Sequence, residues 1–241
     1  SRFRILNNRD CEGTEQLRII TERVKNRGLN MSRKGVLAVV SGFSGAGKGT
    51  LMKALLSEHA DQYALSISAT TRGPREGEVD GREYFFKTKE QFEQMIAEDA
   101  LIEHACYVGN YYGTPKSYVM EQLEAGKNVI LEIEIQGARK IKEQYPDAVL
   151  LFVTTNDAQT LKDRLTGRGT ESEEVIRNRL LRAAQEAEGI EEYDYLVVND
   201  DLDTCVNEEH GIITSEHLKI RRRLEFVTNI REDLQGLMKG E

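Results

Sequence analysis

The residues with the clearest chemical potential lie in the stretch GFSGAGKGT, at positions 42–50. Its glycines Gly42, Gly45 and Gly47 allow a turn whose successive backbone N–H groups face inward and bind an anion. The helix expected after the turn adds the partial positive charge of its N-terminus, and Lys48 is placed to reach the outer phosphates of a nucleotide. The stretch therefore predicts a phosphate-binding loop. The alternative, an ordinary glycine-rich turn between a strand and a helix, is disfavoured because three glycines and a lysine occur together.

Position 49 departs from the usual form of such loops, which have Ser or Thr directly after the lysine. Here Gly49 follows Lys48, and Thr50 comes one position later, where it points elsewhere on a helix and need not bind Mg²⁺. The sequence therefore assigns no residue as a direct metal ligand.

A second group of polar residues lies in SISATTRGPREGEVDGREYFF, at positions 66–86. Arg72 and Arg75 flank a Gly-Pro pair, so a preorganised turn can direct two planar guanidinium groups at one phosphate. Tyr84 can add a hydroxyl donor. Further along, the carboxylate of Glu103 can accept two hydrogen bonds from N1–H and the exocyclic amine of guanine, a donor pair that adenine lacks. These residues predict an acceptor site for a guanine nucleotide, whereas each one alone would fit a solvated loop.

Composition and charge limit the classes of protein to which the chain can belong. With 241 residues, 39% hydrophobic and 31% charged, it has the composition of a globular protein with a substantial core. No apolar run approaches the length of a membrane span, and the N-terminus lacks a secretory signal pattern. The three cysteines are scattered without metal-ligand spacing, which favours a reducing compartment, and we expect a cytoplasmic location.

The net charge of −8 disfavours nucleic acid as a partner. A small anionic ligand remains compatible with it, because local basic clusters can overcome the overall field. Three such clusters occur, at Arg72/Arg75/Arg82, Arg164/Arg168 and Arg221/Arg222/Arg223. The last of these is expected to be a solvated helix face.

The pattern of apolar residues predicts strands that alternate with helices. The predicted strands are GVLAVVSG, YALSIS, GREYFFK, KNVILEIEI, DAVLLFVT and DYLVVND. The predicted helices are KGTLMKALLSEH, TKEQFEQMIAEDALIEH with a capping box at Thr88 and Gln91, DAQTLKDRL, SEEVIRNRLLRAAQEAEGI and a single C-terminal helix over SEHLKIRRRLEFVTNIREDLQGLMKG. Alternation within KNVILEIEI places Glu132 and Glu134 on one face of a strand. This layout predicts an α/β fold with a doubly wound parallel sheet, and a small β-rich insertion at 70–115.

From about Met31 to Met238 the sequence resembles the guanylate kinases, the ATP:GMP phosphotransferase family among the P-loop nucleoside monophosphate kinases. The resemblance rests on GFSGAGKGT, SATTRGPREGEVDGREYFF, IEHA, GNYYGT, LEIEIQGA, RLTGRGTES and VVNDD. It implies a P-loop NTPase-type parallel sheet flanked by helices, a β-rich GMP-binding insertion and a helical lid. The implied domain covers 31–238, with the core at 31–67, 116–155 and 191–238, the GMP-binding region at 68–115 and the lid at about 156–190. Residues 1–30 form an extension that could pack on the domain or mediate assembly.

The resemblance also implies roles for individual residues and the use of Mg²⁺ with ATP, the metal being held mainly by nucleotide phosphates and water. The implied ATP-binding residues are Gly42, Ser44, Gly45, Ala46, Gly47, Lys48, Gly49, Thr50, Arg168 and Asn199. The implied GMP-binding residues are Ser68, Arg72, Arg75, Glu78, Tyr84, Glu103, Tyr112, Thr114 and Glu134. The implied catalytic residues are Lys48, Arg72, Arg164 and Arg179.

The sequence departs from the family pattern at three positions besides Gly49. Glu132 and Glu134 stand where the family often has Asp, which makes a direct contact by Glu132 less certain than one by Glu134. Phe43 stands where Pro is frequent, a change expected to matter little.

The expected activity is transfer of the γ-phosphoryl group of ATP to GMP, and also to dGMP, in purine nucleotide metabolism. One alternative is a guanylate-kinase-like scaffold module that binds phosphopeptides. It is weakened by the intact loop, by the arginines of the lid and by the lack of room for further domains. The other is a P-loop kinase for a different small acceptor, against which Glu103 and TTRGPREGE argue. The sequence leaves the oligomeric state open.

Overall fold

The structure is a computed structural model that describes residues 34–107, 109–167 and 172–239. The described residues fall into two compact units, 34–216 and 217–239. The predicted extension at 1–30 lies outside the described residues, and so does Arg168. None of the described helices combines the length and the apolar character needed to cross a bilayer.

Nine strands and eight α-helices occur among the described residues. The strands are β1 Leu37–Gly42, β2 Tyr63–Leu65, β3 Ala69–Thr70, β4 Phe85–Phe86, β5 Leu101–Tyr107, β6 Asn110–Pro115, β7 Asn128–Glu132, β8 Val149–Thr154 and β9 Tyr195–Val198. The helices are α1 Lys48–Glu58, α2 Lys89–Ala97, α3 Lys116–Glu124, α4 Ile135–Gln144, α5 Ala158–Thr166, α6 Glu173–Ala187, α7 Leu202–Glu216 and α8 Leu224–Lys239, with short 3₁₀ turns at Ile190–Glu192 and Ile220–Arg222.

The main sheet is entirely parallel and has the strand order β2-β7-β1-β8-β9. Both of its faces are covered, as parallel sheets require. Along β1, Ala38 and Val40 pack with α1 and α7 on one face, while Leu37 and Val39 pack with α3 and α4 on the other. The predicted parallel α/β sheet is therefore confirmed, and its central strand leads directly into the phosphate-binding loop.

A second sheet of four strands, in the order β4-β3-β6-β5, forms the insertion predicted at 70–115. Strands β5 and β6 make an antiparallel hairpin, and β6 also pairs with β3. Phe92 of α2 is fully buried beneath this sheet and stacks on Tyr111, with 5.2 Å between the ring centroids. The insertion thus has a small hydrophobic core of its own, which fixes the strands that carry the predicted acceptor residues.

Several predicted elements end earlier than expected. The helix that begins at the Thr88–Gln91 capping box ends at Ala97, because Asp99 takes a left-handed conformation with φ 52°, and β5 follows. The strand predicted over KNVILEIEI ends at Glu132. Glu134 is instead the N-cap of α4, so Glu132 and Glu134 do not share a strand face.

Three further predictions of secondary structure need correction. YALSIS is a strand only at Tyr63–Leu65, and GREYFFK only at Phe85–Phe86, since Gly81 with φ 78° belongs to a turn. The C-terminal region is not one helix. Helix α7 ends at Glu216, the backbone is extended at Lys219, and α8 begins only at residue 224. Helices α3, α4 and α7 are not among the predicted elements.

Candidate active site

The phosphate-binding loop joins the carboxyl end of β1 to α1, and its glycines are required by conformation and by space. Gly42, Gly45 and Gly47 have φ values of 151°, 97° and 91°, which side chains rarely adopt. A Cβ atom at Gly42 would lie 2.1 Å from the carbonyl oxygen of Val153, and one at Gly47 would lie 2.4 Å from Nδ2 of Asn199. The loop can therefore form only with glycine at these positions.

Gly49 is different, because a Cβ there would meet no atom within 4 Å. Space in the fold thus does not require glycine after the lysine. Thr50, the next residue, is exposed on the first turn of α1.

Lys48 is the first residue of α1, and its side chain folds back over the loop. Its Nζ donates hydrogen bonds to the carbonyl oxygens of Gly42, at 2.8 Å, and Phe43, at 3.2 Å. Burial lowers the pKa of Lys48, and the carboxylates of Glu132, Glu186 and Glu134 oppose that shift. The amine therefore lies at the loop itself, in an environment with several nearby acids.

The predicted residues of the lid and of the adenine side converge on the same loop. Asn199, which follows β9, donates from Nδ2 to the carbonyl oxygen of Ala46 at 2.7 Å. Arg164 of α5 donates to the carbonyl oxygens of Asn199, at 2.8 Å, and Ala46, at 3.3 Å. Arg179 of α6 lies 3.5 Å from the hydroxyl of Ser44. Two predicted arginines and the predicted asparagine thus surround the loop backbone.

Apolar contacts hold the lid helices against the loop. Leu161 and Leu165 of α5 form a small buried cluster with Ala183 of α6, and Phe43 of the loop packs against it. Phe43 also meets Phe152 of β8 edge to face, with ring centroids 5.0 Å apart. The residue at position 43 therefore joins the loop both to the lid and to the sheet, a role that the sequence did not predict.

The acceptor residues of the insertion form a second polar centre. Arg72 makes two hydrogen bonds with the carboxylate of Glu78, each 2.9 Å long, and its guanidinium lies 5.2 Å from the ring centroid of Tyr84. Tyr84 in turn meets Tyr112 edge to face, at 6.2 Å. The backbone N–H of Arg75 donates to Glu78 at 2.7 Å, while the Arg75 side chain is exposed. The structure thus groups these predicted residues around the Arg72–Glu78 pair.

The pKa of Glu78 is lowered chiefly by the hydrogen bonds from Arg72, followed by the one from the backbone of Arg75. Glu78 is therefore an anion that holds the arginine-rich turn in shape. Ser68 lies in the segment between β2 and β3. Its carbonyl oxygen accepts a hydrogen bond from the N–H of Phe85, which links this segment to β4 of the second sheet.

Glu103 of β5 is half-buried and accepts a hydrogen bond of 2.8 Å at Oε1 from the hydroxyl of Thr114, which is buried on β6. Burial raises the pKa of Glu103, and the Thr114 hydroxyl opposes that shift. The other carboxylate oxygen, Oε2, would lie 3.7 Å from a Cβ at Gly137, in the first turn of α4. Glycine at position 137 leaves room beside this oxygen.

Glu134 lies between the two polar centres. Its negative charge opposes the larger effect by which burial lowers the pKa of Lys48, and it adds to the rise in the pKa of Glu103 in the insertion. The structure also shows a partner for Glu134 that the sequence did not predict. Arg182 of α6 makes an ion pair with Glu134 and another, 3.0 Å long, with Glu186. The one signal in the sequence was the four-residue spacing of Arg182 and Glu186, which indicates the pair between those two residues.

The main sheet is parallel, and a glycine-rich loop follows its central strand. A lysine and two arginines lie at that loop, and a separate site in an insertion contains a carboxylate. These features together define a nucleoside monophosphate kinase type of protein. The chain belongs to the guanylate kinase family, whose model matches residues 34–216.

Similar proteins agree with this assignment. The guanylate kinase of Caldanaerobacter subterraneus subsp. tengcongensis is 47% identical over 205 residues, which are 85% of this chain and 99% of that relative. That of Oceanobacillus iheyensis is 50% identical over 204 residues, 84% of this chain and 98% of the relative. The crystal structure of guanylate kinase from Anaplasma phagocytophilum superposes with a TM-score of 0.62 at 30% identity and covers 79% of this chain and 90% of that one. These similarities do not favour the scaffold module or a different acceptor.

Proposed function

We propose that the protein transfers the γ-phosphoryl group of ATP to GMP and so produces ADP and GDP. The observation that carries this proposal is the half-buried Glu103 carboxylate, oriented by Thr114, in the same compact unit as the lysine-bearing phosphate loop. Such a carboxylate can accept from both guanine donors, and it would be left unpaired by adenine.

The donor side would bind ATP through the backbone N–H groups of the loop and through Lys48. In the structure, the amine of Lys48 lies against the carbonyl oxygens of Gly42 and Phe43, at the loop where the phosphates would bind. Arg164 and Arg179, next to the loop, can neutralise charge on the transferring group. Phosphoryl transfer needs mainly this positioning and charge neutralisation. The attacking oxygen already belongs to a phosphate, so no strong general base is required.

The acceptor side would bind the GMP phosphate through Arg75, Tyr84 and Tyr112, and guanine through Glu103, Thr114 and Ser68. Arg72 is held by Glu78 over the Tyr84 ring, and it would turn toward the transferring group when both substrates are bound. Glu134 would contact GMP from the start of α4. Because none of the described residues assigned above is proposed to contact the ribose 2′-hydroxyl, dGMP is also proposed as an acceptor.

Magnesium would enter as a complex with ATP. Among the described residues no group of three or more His, Cys, Asp or Glu is arranged to hold a metal ion, and Gly49 has no side-chain oxygen to offer as a ligand. These residues fit an ion bound by phosphates and water, as Mg²⁺ commonly is. Glu132, exposed at the end of β7 and close enough to Lys48 to shift its pKa, can accept hydrogen bonds from that water. When bound, the ion would supply charge neutralisation at the phosphates.

Closure of α5 and α6 over the loop would exclude water, which otherwise competes with GMP for the phosphoryl group. The apolar contacts of Phe43 with these helices would keep them attached to the loop during that movement. Arg168, proposed to bind ATP, lies outside the described residues.

The proposed location of the protein is the cytoplasm.

The test is an assay of ADP release with ATP and Mg²⁺, offered GMP, dGMP, AMP, dTMP or no acceptor in parallel. We expect release with GMP and dGMP only. Lys48→Ala is the matched control, and it should lower kcat by at least about 100-fold, since it removes a charged contact to the phosphates. An unchanged melting temperature in that variant would show that the fold is intact.

Release with AMP or dTMP at comparable kcat/KM would overturn the guanine assignment and leave the phosphate loop in place. Folded protein that binds GMP and releases no ADP with any acceptor would overturn the enzyme assignment. Normal turnover by Lys48→Ala would refute the role given to the lysine.

A further inference from the structure

Arg182 occupies a position that none of the roles above explains. It lies on α6, and its guanidinium makes ion pairs with two carboxylates, Glu134 at the N-cap of α4 and Glu186 one turn further along α6. The pair with Glu134 joins a lid helix to the core, whereas the pair with Glu186 is within one helix. Arg182 therefore connects two elements that lid closure would move relative to each other.

Glu134, the partner of Arg182 in this contact, lies near two ionisable groups of the proposed active site. Glu134 is close enough to Lys48 to oppose the lowering of its pKa by burial, as Glu186 also does, and close enough to Glu103 to add to the rise of its pKa. Without Arg182, two negative charges near the phosphate-binding lysine would lack their cationic partner. Anionic substrates that bind there would then meet repulsion, which falls off as salt is added.

The helix that carries Arg182 also carries Arg179, three residues earlier, whose guanidinium lies 3.5 Å from the Ser44 hydroxyl of the phosphate loop. One residue later, Ala183 packs in the apolar cluster with Leu161 and Leu165. Residues 179–183 thus contact the phosphate loop, the neighbouring lid helix and, through Arg182, the acceptor side. A shift of this segment would be transmitted to all three.

We infer that Arg182 is a positioning residue that ties the lid helix α6 to Glu134 and so couples the guanine-nucleotide side of the active site to the arginines at the phosphate loop. This inference rests on the proposed function for its effect on turnover, although the tie itself is a property of the free protein. An exposed pair of this kind adds little to global stability, so its effect is on the arrangement of the site.

Substitutions separate this role from a general one. Arg182→Gln removes the charge, and we expect kcat/KM for GMP to fall about fivefold, the lower end of typical coupling between sites. Arg182→Lys keeps the charge and should recover more than half of the loss. In a Glu134→Gln background, Arg182→Gln should have a much smaller effect, because the contact with Glu134 is already broken and only the pair with Glu186 remains to be lost. The loss should shrink at high ionic strength. Arg177→Gln, an exposed arginine on the same helix, is the matched control and should behave like the wild type.

A second measurement does not depend on activity. Hydrogen exchange of the amides in 176–187, without substrates, should quicken in Arg182→Gln and in Glu134→Gln, and no more in the double variant than in Arg182→Gln alone, which already lacks both ion pairs.

The inference would be overturned by an Arg182→Gln variant as active as the wild type, or by the same loss with and without Glu134. Failure of lysine to recover activity, or unchanged exchange in α6, would overturn it as well. If the wild type itself does not phosphorylate GMP but the exchange rates are coupled as described, the proposed function fails and the tie stands.

Discussion

Glu103 shows how a single residue can set the choice of purine. Its carboxylate is half-buried on β5, one oxygen bonds to the Thr114 hydroxyl, and Gly137 leaves room beside the other. A solvated glutamate would lose little when left unpaired, but one removed from water loses the compensation that water gave it. The burial that raises its pKa would therefore also be the source of the selectivity proposed for it.

We predict that Glu103→Gln lowers kcat/KM for GMP about 10- to 100-fold, the range expected for a lost hydrogen bond to a charged group. Burial raises the Glu103 pKa, so the wild type should also lose GMP affinity as the pH falls through that raised value, and at a higher pH than an ordinary carboxyl would dictate. Steady-state kinetics between pH 5 and 8 would measure both effects.

In Glu103→Gln this part of the pH dependence should be absent. Glu121→Gln, at an exposed position on α3, is the control and should match the wild type. A pH profile unchanged by Glu103→Gln would show that another group titrates.

Among the elements, α7 contains an unusual feature away from the site. Glu209 is fully buried there, and its two carboxylate oxygens have no hydrogen-bond partner among the described residues. Burial raises the pKa of Glu209 to about 8. The folded protein therefore holds a proton on this side chain that the unfolded chain would release near its ordinary pKa.

The sign of the effect on stability follows from that shift. Because the folded-state pKa is raised, the contribution is fully present below about pH 4.5 and is lost as the pH rises to about 8, by a total of about 5 kcal/mol. We predict that Glu209→Gln, which is neutral at every pH, flattens the decline of the unfolding free energy between pH 5 and 9. Denaturant titrations at several pH values would measure it.

The exposed neighbour provides the control for this prediction. Glu208→Gln should keep the wild-type slope of stability against pH. An equal slope in Glu209→Gln would mean that Glu209 is not the group responsible.

The continuity of the apolar pattern decides which elements can be predicted from sequence, and α7 is a helix in which that pattern is interrupted. Strands β1, β7 and β8 are continuous apolar runs, since both faces of a parallel sheet are covered, and such runs are easily recognised. In α7 the buried positions include two glutamates, Glu209 and Glu216, which interrupt the apolar stripe. In α4 only three of the ten residues are buried, namely Ile135, Ala138 and Ile141, so its apolar stripe is narrow and most of its residues are polar.

The residues of the site were accessible to sequence reasoning to different degrees. The loop glycines and Lys48 are adjacent in the chain, so their spacing alone indicates their geometry. The tie between Arg182 and Glu134 spans 48 positions and depends on where α6 lies, which no local pattern gives. Likewise the packing of Phe43 on Phe152 needs the register of β1 with β8, and that register exists only in the folded sheet.

At the scale of the whole molecule, every described residue with a proposed role lies within the unit 34–216, the same range that the family model matches. We therefore predict that removal of residues 1–30 leaves kcat/KM for GMP within about twofold of the full chain, a difference of less than about 0.5 kcal/mol in transition-state stabilisation. Initial rates of the two proteins, purified in parallel, would measure it.

A Lys48→Ala form of the shortened protein serves as the control for contaminating activity. A loss larger than tenfold in the otherwise unaltered short protein, with its melting temperature unchanged, would show that the first thirty residues take part in the reaction.

The hydrogen bonds of Lys48 to the carbonyl oxygens of Gly42 and Phe43 have a further consequence. The amine that is proposed to bind phosphate also stabilises the loop, so an arriving nucleotide would exchange one set of hydrogen bonds for another and would have little backbone to order. Its capture should therefore carry a small entropic penalty, and its rate should be governed by diffusion and orientation more than by rearrangement of the loop.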